Sequence, residues 1–358
     1  MMTRGWRLGV LSLLLAATQG CSDGNDNAPD GGVDLDAGPT CTDADQSVTV
    51  MVSDVEIGPG LFQLAAWNLS ARLTPTSVLA YQGDETGVQR IAVLEPTGIT
   101  EIATIPDASS LPLRAASVPN SSCAVLHGAM NLSYFCPGES LEGSSFDLNW
   151  DAPLYPVQTS GSLFLYTQNF AAFTELERTG PGRWVEHEQF ESSISYPTDA
   201  TLAGDRPIAC FIDIDDRAVV TYAGSRHHTT EAARWCKLAV DGDTVHILTD
   251  IGYTTRSLSS LTGEGSFEVT ATTLTERPDR LLVLDGAPYI LLRSVETIDL
   301  WPVTTGEPIH VPRPEGSMLL ADWDASARAL TVISADAERT GSGPEHPQTI
   351  RFQTHCID

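Results

Sequence analysis

The chain has 358 residues and is 42% hydrophobic, so it is long enough for one large or two ordinary domains, and it is not a disordered chain. Its 47 acidic residues outnumber 20 basic ones and give a formal charge of -27, which repels nucleic-acid phosphates and anionic lipid surfaces. We therefore expect no nucleic-acid partner and no electrostatic membrane patch, and we interpret the acidic excess as favouring solubility.

The N-terminal segment has the pattern of an export signal. Arg4 and Arg7 come before an apolar run at residues 8–17. This run is too short to cross a bilayer core, which needs about 20 residues, but it has the length of the h-region of a signal peptide. Residues 1–20 are therefore predicted to be a signal peptide.

A lipobox-like motif, Thr18-Gln19-Gly20-Cys21, follows the apolar run. Here the chain resembles a bacterial lipoprotein precursor, because Gly20 and Cys21 match the lipobox, whereas Thr18 departs from the usual Leu. The resemblance implies that Cys21 begins the mature protein and carries acyl chains, which anchor stably when there are two or more. Since Ser22 is not the Asp that marks inner-membrane retention in some bacteria, we expect an outer-membrane or cell-surface lipoprotein. Cleavage without lipidation, giving a periplasmic or secreted protein, is the alternative.

Residues 22–40 consist mainly of Asp, Gly, Pro and Asn. Like charges repel and Gly bends freely, so residues 21–40 are predicted to be the lipidated cysteine and a disordered tether. The spacing of the acids does not fit a calcium-binding loop. The aspartates concerned are Asp23, Asp26, Asp30, Asp34 and Asp36.

An odd number of cysteines in an exported chain requires an explanation. The seven are Cys21, Cys41, Cys123, Cys136, Cys210, Cys236 and Cys356. If Cys21 carries lipid, six remain, and they allow about 15 pairings. Proximity along the chain favours Cys123–Cys136 and Cys210–Cys236, which leaves Cys41–Cys356 to join the two ends of the domain. No C-x-x-C occurs beside a His pair, so we predict no metal site and no cofactor.

Short apolar runs separated by Gly, Asp, Pro or Thr continue from about residue 42, and no amphipathic helix is evident. Asp-Gly at 241–242 and at 285–286 lies between two such runs, which is a strong hairpin signal. Runs at 209–222 and 319–333 repeat the same strand–turn–strand unit. The chain is therefore predicted to be all-β.

The recurrence of these hairpins resembles the repeats of a β-propeller of the WD40-like or TolB-like kind, with Asp322–Ser334 as the clearest unit. Residues 41–358 then form one domain of six or seven blades of about 45–50 residues each. The resemblance implies a ring that must close, and a Cys41–Cys356 bond would fasten the closure. The alternative is one or two β-sandwiches.

Two histidine motifs are the first candidates for chemistry. His227 and His228 are predicted to lie in an exposed loop. Glu186-His187-Glu188 is predicted to lie in a strand, with both Glu side chains on one face and His187 on the other. Neither arrangement suits one metal ion, and no known catalytic motif is present.

Aspartates and tryptophans are the second candidates. The acids could converge at the centre of a propeller, but Asp is also a common turn residue; they are Asp213, Asp215, Asp216, Asp241 and Asp243. The tryptophans could form a sugar platform or pack between blades; they are Trp67, Trp150, Trp184, Trp235, Trp301 and Trp323.

The sequence thus predicts a lipid-anchored propeller that binds a protein or carbohydrate partner without catalysis. Its only membrane contact would be the lipid on Cys21. Two alternatives stay open. One is a propeller hydrolase or lyase acting on extracellular polysaccharide, with two carboxylates about 5–10 Å apart in a concave site. The other is an assembly scaffold of the envelope. Fold alone does not decide among them.

Overall fold

The computed structural model describes residues 41–59, 61–83, 89–105, 114–128, 131–144, 148, 153–169, 172–191, 199–272, 274, 277–294, 297–314, 316, 318–324, 327–337 and 345–357. The predicted signal peptide, Cys21 and the predicted tether lie outside these residues. No helix within these ranges is long and apolar enough to cross a membrane, and the helical content there is one 3-10 turn at Leu258–Leu261.

Twenty-nine strands follow in chain order. The first two are β1 (Ala44–Gly58) and β2 (Leu61–Leu64). The next four are β3 (Asn68–Thr74), β4 (Ser77–Gly83), β5 (Gln89–Glu95) and β6 (Gly98–Ile105). Then come β7 (Arg114–Ser117), β8 (Ala124–Gly128), β9 (Asn131–Phe135) and β10 (Glu142–Gly143).

The middle of the chain supplies β11 (Leu154–Gln158), β12 (Leu163–Asn169), β13 (Ala172–Gly180) and β14 (Arg183–Glu191). It continues with β15 (Asp199–Ala203), β16 (Arg206–Ile212), β17 (Arg217–Tyr222) and β18 (Ser225–Ala232). Four more are β19 (Cys236–Asp241), β20 (Thr244–Thr249), β21 (Gly252–Ser257) and β22 (Gly265–Phe267).

The last strands are β23 (Arg280–Leu284), β24 (Ala287–Arg293), β25 (Thr297–Pro302) and β26 (Ile309–Pro312). The chain ends with β27 (Met318–Asp324), β28 (Ala329–Ala337) and β29 (Glu345–Cys356).

These strands form seven sheets, which are the blades of a β-propeller. Blades one to three are β3–β6, β7–β10 and β11–β14. Blade four is β15–β18 with β22 added in parallel, blade five is β19–β21, and blade six is β23–β26. Blade seven combines β27–β29 with β1 and β2. The all-β propeller prediction is confirmed with seven blades rather than six, and the β-sandwich alternative is wrong.

The predicted hairpin turns form where the sequence placed them. β19 pairs with β20 across Asp241-Gly242, and β23 pairs with β24 across Asp285-Gly286. Asp285 and Gly286 both have positive φ, 49° and 74°, which is the geometry of a type I′ hairpin. Glycine adopts such angles without the Cβ penalty that other residues meet.

A separate apolar cluster fills each junction between neighbouring blades. Between blades three and four, Tyr166 stacks on Phe173, and Phe173 stacks on Phe211 with ring centroids 5.0 Å apart. Both faces of a blade are therefore buried, which explains the near-continuous apolar runs in the sequence. The first strands of successive blades face one another around the centre, and an Arg280–Asp322 ion pair joins β23 to β27.

Blade seven closes the ring by pairing the two ends of the domain. β1 and β29 are antiparallel from Ala44 opposite Thr354 to Ser53 opposite Glu345. A disulfide joins Cys41 to Cys356, with their Cα atoms 5.7 Å apart. The first-formed and last-formed strands therefore share one sheet.

Two further disulfides lie inside the ring of blades. Cys123–Cys136 spans the β8–β9 hairpin of blade two, and Cys210–Cys236 joins β16 of blade four to β19 of blade five. The presence of disulfide bonds, predicted from the cysteine count, is confirmed. Disulfides form and persist outside the reducing cytosol, so they indicate an oxidising environment.

Candidate functional site

An open cleft of about 260 Å³ lies between blades three and four. Blade three contributes side chains from β12, β13 and β14, and blade four contributes β16, β17 and the β17–β18 turn. The lining residues with aromatic or ionisable side chains are Phe164, Tyr166, Glu175, His187, Glu188, Arg206, Tyr222 and Arg226. The volume is close to the lower end of the roughly 300–1,000 Å³ of small-molecule sites, so the cleft suits a small ligand.

A β-bulge in β14 brings two neighbouring side chains into the cleft. Glu175 pairs with Glu188, but Leu176 pairs with Glu186, so His187 is an extra residue in β14. A bulge interrupts strict alternation and re-aims side chains. His187 and Glu188 therefore both line the cleft. The prediction that His187 lies on the opposite face from Glu188 was wrong for this reason.

Tyr166 forms the floor of the blade-three wall. It is 2% exposed, and its hydroxyl donates a hydrogen bond to Glu175 Oε2 at 2.6 Å. Burial raises the pKa of Tyr166 far above its ordinary value, and the Glu175 charge raises it further. The hydroxyl therefore stays protonated and serves as a hydrogen-bond donor that holds the Glu175 carboxylate in place.

His187 is held at the rim by a carboxylate and an aromatic edge. Its Nε2 lies 2.6 Å from Glu177 Oε2, and its ring meets Phe164 edge-on at 6.2 Å. The Ser162 hydroxyl donates to Glu177 Oε1 at 2.5 Å. That hydrogen bond lowers the pKa of Glu177 more than the bond from His187 does. Glu177 thus stays ionised and keeps the imidazole oriented.

Blade four supplies two guanidinium groups with different partners. Arg226 Nη2 lies 2.5 Å from Glu188 Oε1, so an ion pair crosses the cleft between the blades. Arg206 is exposed and makes no hydrogen bond or ion pair with the residues that the structure describes. Beside them, Ala223 and Gly224 turn the chain with φ of 52° and 79°, and Tyr222 presents its ring to the cleft.

The other histidine motif does not contribute to the cleft. His227 and His228 lie in β18, so the loop prediction was wrong, while their predicted opposite orientations fit the observed burial. His227 is 8% exposed and packs against Gly265 of β22. His228 is half-buried, with Nδ1 3.8 Å from Asp213 Oδ2. The loop reading failed because a strand of polar residues lacks apolar alternation.

Asp213 serves its turn rather than a catalytic centre. Its Oδ1 accepts hydrogen bonds from the backbone N–H groups of Asp215 and Arg217, and its Oδ2 binds the Arg217 guanidinium at 2.9 Å. Asp216 completes the turn with φ of 59°. Among the residues described, no group of three or more His, Cys, Asp or Glu side chains could hold a metal ion.

The tryptophans do not gather on one face. Trp67, Trp235 and Trp323 are buried, and Trp184 is half-buried in the junction of blades two and three. Trp301 is 40% exposed on blade six, and Trp150 lies outside the described residues. Blade packing is therefore their main use.

No protein-family model and no curated protein matches the sequence. The polysaccharide lyase Uly1 is similar in structure, with a TM-score of 0.52 and 9% identity over 89% of this chain and 100% of that chain. The WD40 domain of SCAP from fission yeast has a TM-score of 0.45 and 8% identity over 82% of each chain. The SapL1 lectin, in complex with alpha methyl fucoside, has 0.42 and 14% over 69% and 96%. At such identities the similarity shows the propeller fold alone.

Proposed function

We propose that this protein is a binding module of the cell exterior, and that its blade three–four cleft binds one sugar ring of a carbohydrate. The observation that carries the proposal is the combination of side chains in the cleft. Phe164 and Tyr222 offer aromatic faces to apolar C–H groups, while Arg226 and Glu188 offer charged donors and an acceptor to hydroxyls. Ligand sites commonly combine apolar walls with a few fixed polar groups.

A glycan array followed by calorimetry on the full chain, produced in an oxidising compartment, tests this proposal. Tyr222→Ala and Arg226→Ala are each expected to weaken affinity at least about tenfold, which corresponds to about 1.4 kcal/mol. Arg351→Ala, at an exposed arginine of β29, is the matched control. Equal affinity in all three variants would show that the sugar binds elsewhere, and absence of any glycan binding would reject the ligand class.

A second candidate function is cleavage of an extracellular polysaccharide. Glu175 and Glu188 stand directly opposite each other on β13 and β14, and both line the cleft. Opposed residues have Cβ atoms about 4.5–5.5 Å apart, so their carboxyl groups are within the roughly 5–10 Å that glycoside hydrolysis uses. Release of new chain ends from a polysaccharide panel, lost in Glu175→Gln and retained in Glu186→Gln, would favour this function over binding alone.

We propose in addition that Cys21 carries the lipid that holds this domain at the outer membrane or cell surface. The lipobox-like sequence supports it, and so does the pairing of the six other cysteines in three disulfides. Mass spectrometry of the mature N-terminal peptide is expected to show acylated Cys21. Cys21→Ser is expected to move the protein from the membrane fraction to the soluble fraction. A mature terminus at any other residue would refute the anchor.

A further inference from the structure

Lys237 is the chain's single lysine, since every other basic residue is an arginine. It is the second residue of β19, the first strand of blade five, and it is only 5% exposed. Cys236 and Leu238 on either side of it pack against blade four, so Lys237 points the other way, toward blade six. A buried lysine is rare unless a partner compensates its charge.

No such partner is present among the described residues. Lys237 donates no hydrogen bond and has no carboxylate within ion-pair distance. The charged groups around it are Asp199, Arg277, Asp279 and Arg280, from the inner ends of blades four and six. The carboxylates of this group are each engaged elsewhere.

Asp279 is held by Arg293 through two hydrogen bonds of 2.5 and 2.8 Å. Asp199 accepts backbone N–H groups from Ala200 and Leu238, both at 3.0 Å. Neither carboxylate is therefore left for Lys237.

The neighbouring guanidinium groups add positive charge. Arg280 and Arg72 share the carboxylate of Asp322, with Arg72 Nη2 at 2.7 Å from Asp322 Oδ2. Arg277 is exposed and makes no ion pair with a described residue. Two unpaired cations, Lys237 and Arg277, thus lie together in a protein whose formal charge is -27.

An unpaired buried charge is unfavourable, and an unsatisfied buried polar group calls for an explanation. Burial lowers the pKa of Lys237, and Arg277 and Arg280 lower it further against the opposing effect of Asp199 and Asp279. A bound anion would restore the missing counter-charge and hydrogen-bond acceptors.

We propose that Lys237, with Arg277 beside it, binds the carboxylate or sulfate group of an anionic ligand at the inner end of blades five and six. Lys237 lies at the start of a first strand. The cleft, in contrast, lies beside the turns that follow β15 and β17. The two sites are therefore at opposite ends of the strands, and this proposal is independent of the sugar-binding one.

The single lysine makes a direct test possible. In full-length protein labelled with ¹³C and ¹⁵N lysine, NMR reports Lys237 alone among the side-chain amines of lysine. Sulfate and glucuronate are added separately at constant ionic strength, with glucose as the uncharged comparison. We expect saturable shifts with both anions and none with glucose. A shift with glucuronate and not with sulfate would identify a carboxylate site, and the reverse would identify a sulfate site.

Variants separate binding from general effects of charge. Arg277→Ala is expected to weaken the anion affinity about tenfold, and Arg183→Ala, at an exposed arginine of blade three, is expected to leave it unchanged. Lys237→Met should remove anion binding, measured by calorimetry, while the protein stays folded by circular dichroism. A Lys237 signal that ignores both anions at concentrations that saturate a millimolar site, or that responds equally to glucose, would overturn the proposal.

Discussion

Gln348 shows how one side chain can serve as a structural joint. It is fully buried on β29, where its Oε1 accepts from the backbone N–H of Trp67 at 2.7 Å and its Nε2 donates to the backbone C=O of Trp67 at 2.8 Å. The amide thus satisfies the segment that leads from blade seven into blade one. A glutamine provides both a donor and an acceptor in one plane, which few other side chains do.

Replacing Gln348 by Leu should leave two buried backbone groups of Trp67 unsatisfied. We expect the free energy of unfolding to fall by about 2–4 kcal/mol, since each such group costs about 1–3 kcal/mol. Urea unfolding with the disulfides intact measures this loss. Gln189→Leu on the exposed face of β14 is the control, and an equal loss in both variants would contradict the role assigned to Gln348.

His246 should make stability depend on pH. Burial lowers the pKa of His246 below its ordinary 6.5, and its Nδ1 lies 2.6 Å from the Tyr253 hydroxyl. The unfolded chain therefore binds a proton near pH 6.5 that the folded chain does not take up, so stability falls as the pH drops below that value. The drop in unfolding free energy between pH 7.5 and pH 5 should be smaller in His246→Gln than in the wild type. An equal drop would assign it to other groups.

Blade five is the element in which packing departs most from a regular repeat. It has three strands, and β22, which follows it in the chain, pairs instead with β18 of blade four. The outer edge of β21 is covered by an isolated bridge between Tyr253 and Thr270, with both hydrogen bonds at 2.8 Å. A single extended residue therefore takes part of the place of a fourth strand.

Gly252 permits that covering. A Cβ at this position would lie 2.7 Å from the carbonyl carbon of Thr270, and backbone cannot yield as a flexible side chain can. Gly252→Ala should lower the free energy of unfolding by about 1–3 kcal/mol. Hydrogen exchange should also accelerate at the amides of Tyr253 and Thr270. Gly161→Ala, where nothing lies within 4 Å, is the control, and unchanged protection of both amides would refute the steric argument.

The hairpins were predictable and the site was not, for a physical reason. Asp241-Gly242 and Asp285-Gly286 encode their turns locally, so sequence alone located β19–β20 and β23–β24. The bulge at His187 depends on how β14 slides against β13, which local sequence does not specify. Tyr166, Arg206 and Arg226 meet across two blades and carry no common motif, so no sequence signal united them.

At the scale of the whole molecule, the ring is held by one long seam. β1 and β29 pair along ten residues, and the Cys41–Cys356 bond spans 315 residues of sequence. A cross-link that closes a longer loop restricts the unfolded chain more. The seam therefore combines a continuous ladder of hydrogen bonds with the covalent bond that constrains the unfolded chain most.

Replacing Cys41 and Cys356 by Ser should reduce stability more than replacing Cys123 and Cys136, which are 13 residues apart. The chain-entropy relation gives about 5 kcal/mol for the first pair and about 3 kcal/mol for the second. Denaturant unfolding of the two double variants measures the difference. A larger loss for the Cys123–Cys136 pair would show that strain or residual structure outweighs chain entropy.

The seam also determines when the molecule can finish folding. Its inner partner, Glu345–Cys356, is among the last residues to leave the ribosome, whereas Ala44–Gly58 is made near the beginning. Until synthesis ends, the early strand has an open edge that other chains could pair with, and such edges favour aggregation. Contacts this distant in sequence also slow folding. A nascent chain of this design therefore depends on being shielded until its final dozen residues emerge, and a prematurely terminated product would remain a sticky, incomplete circle.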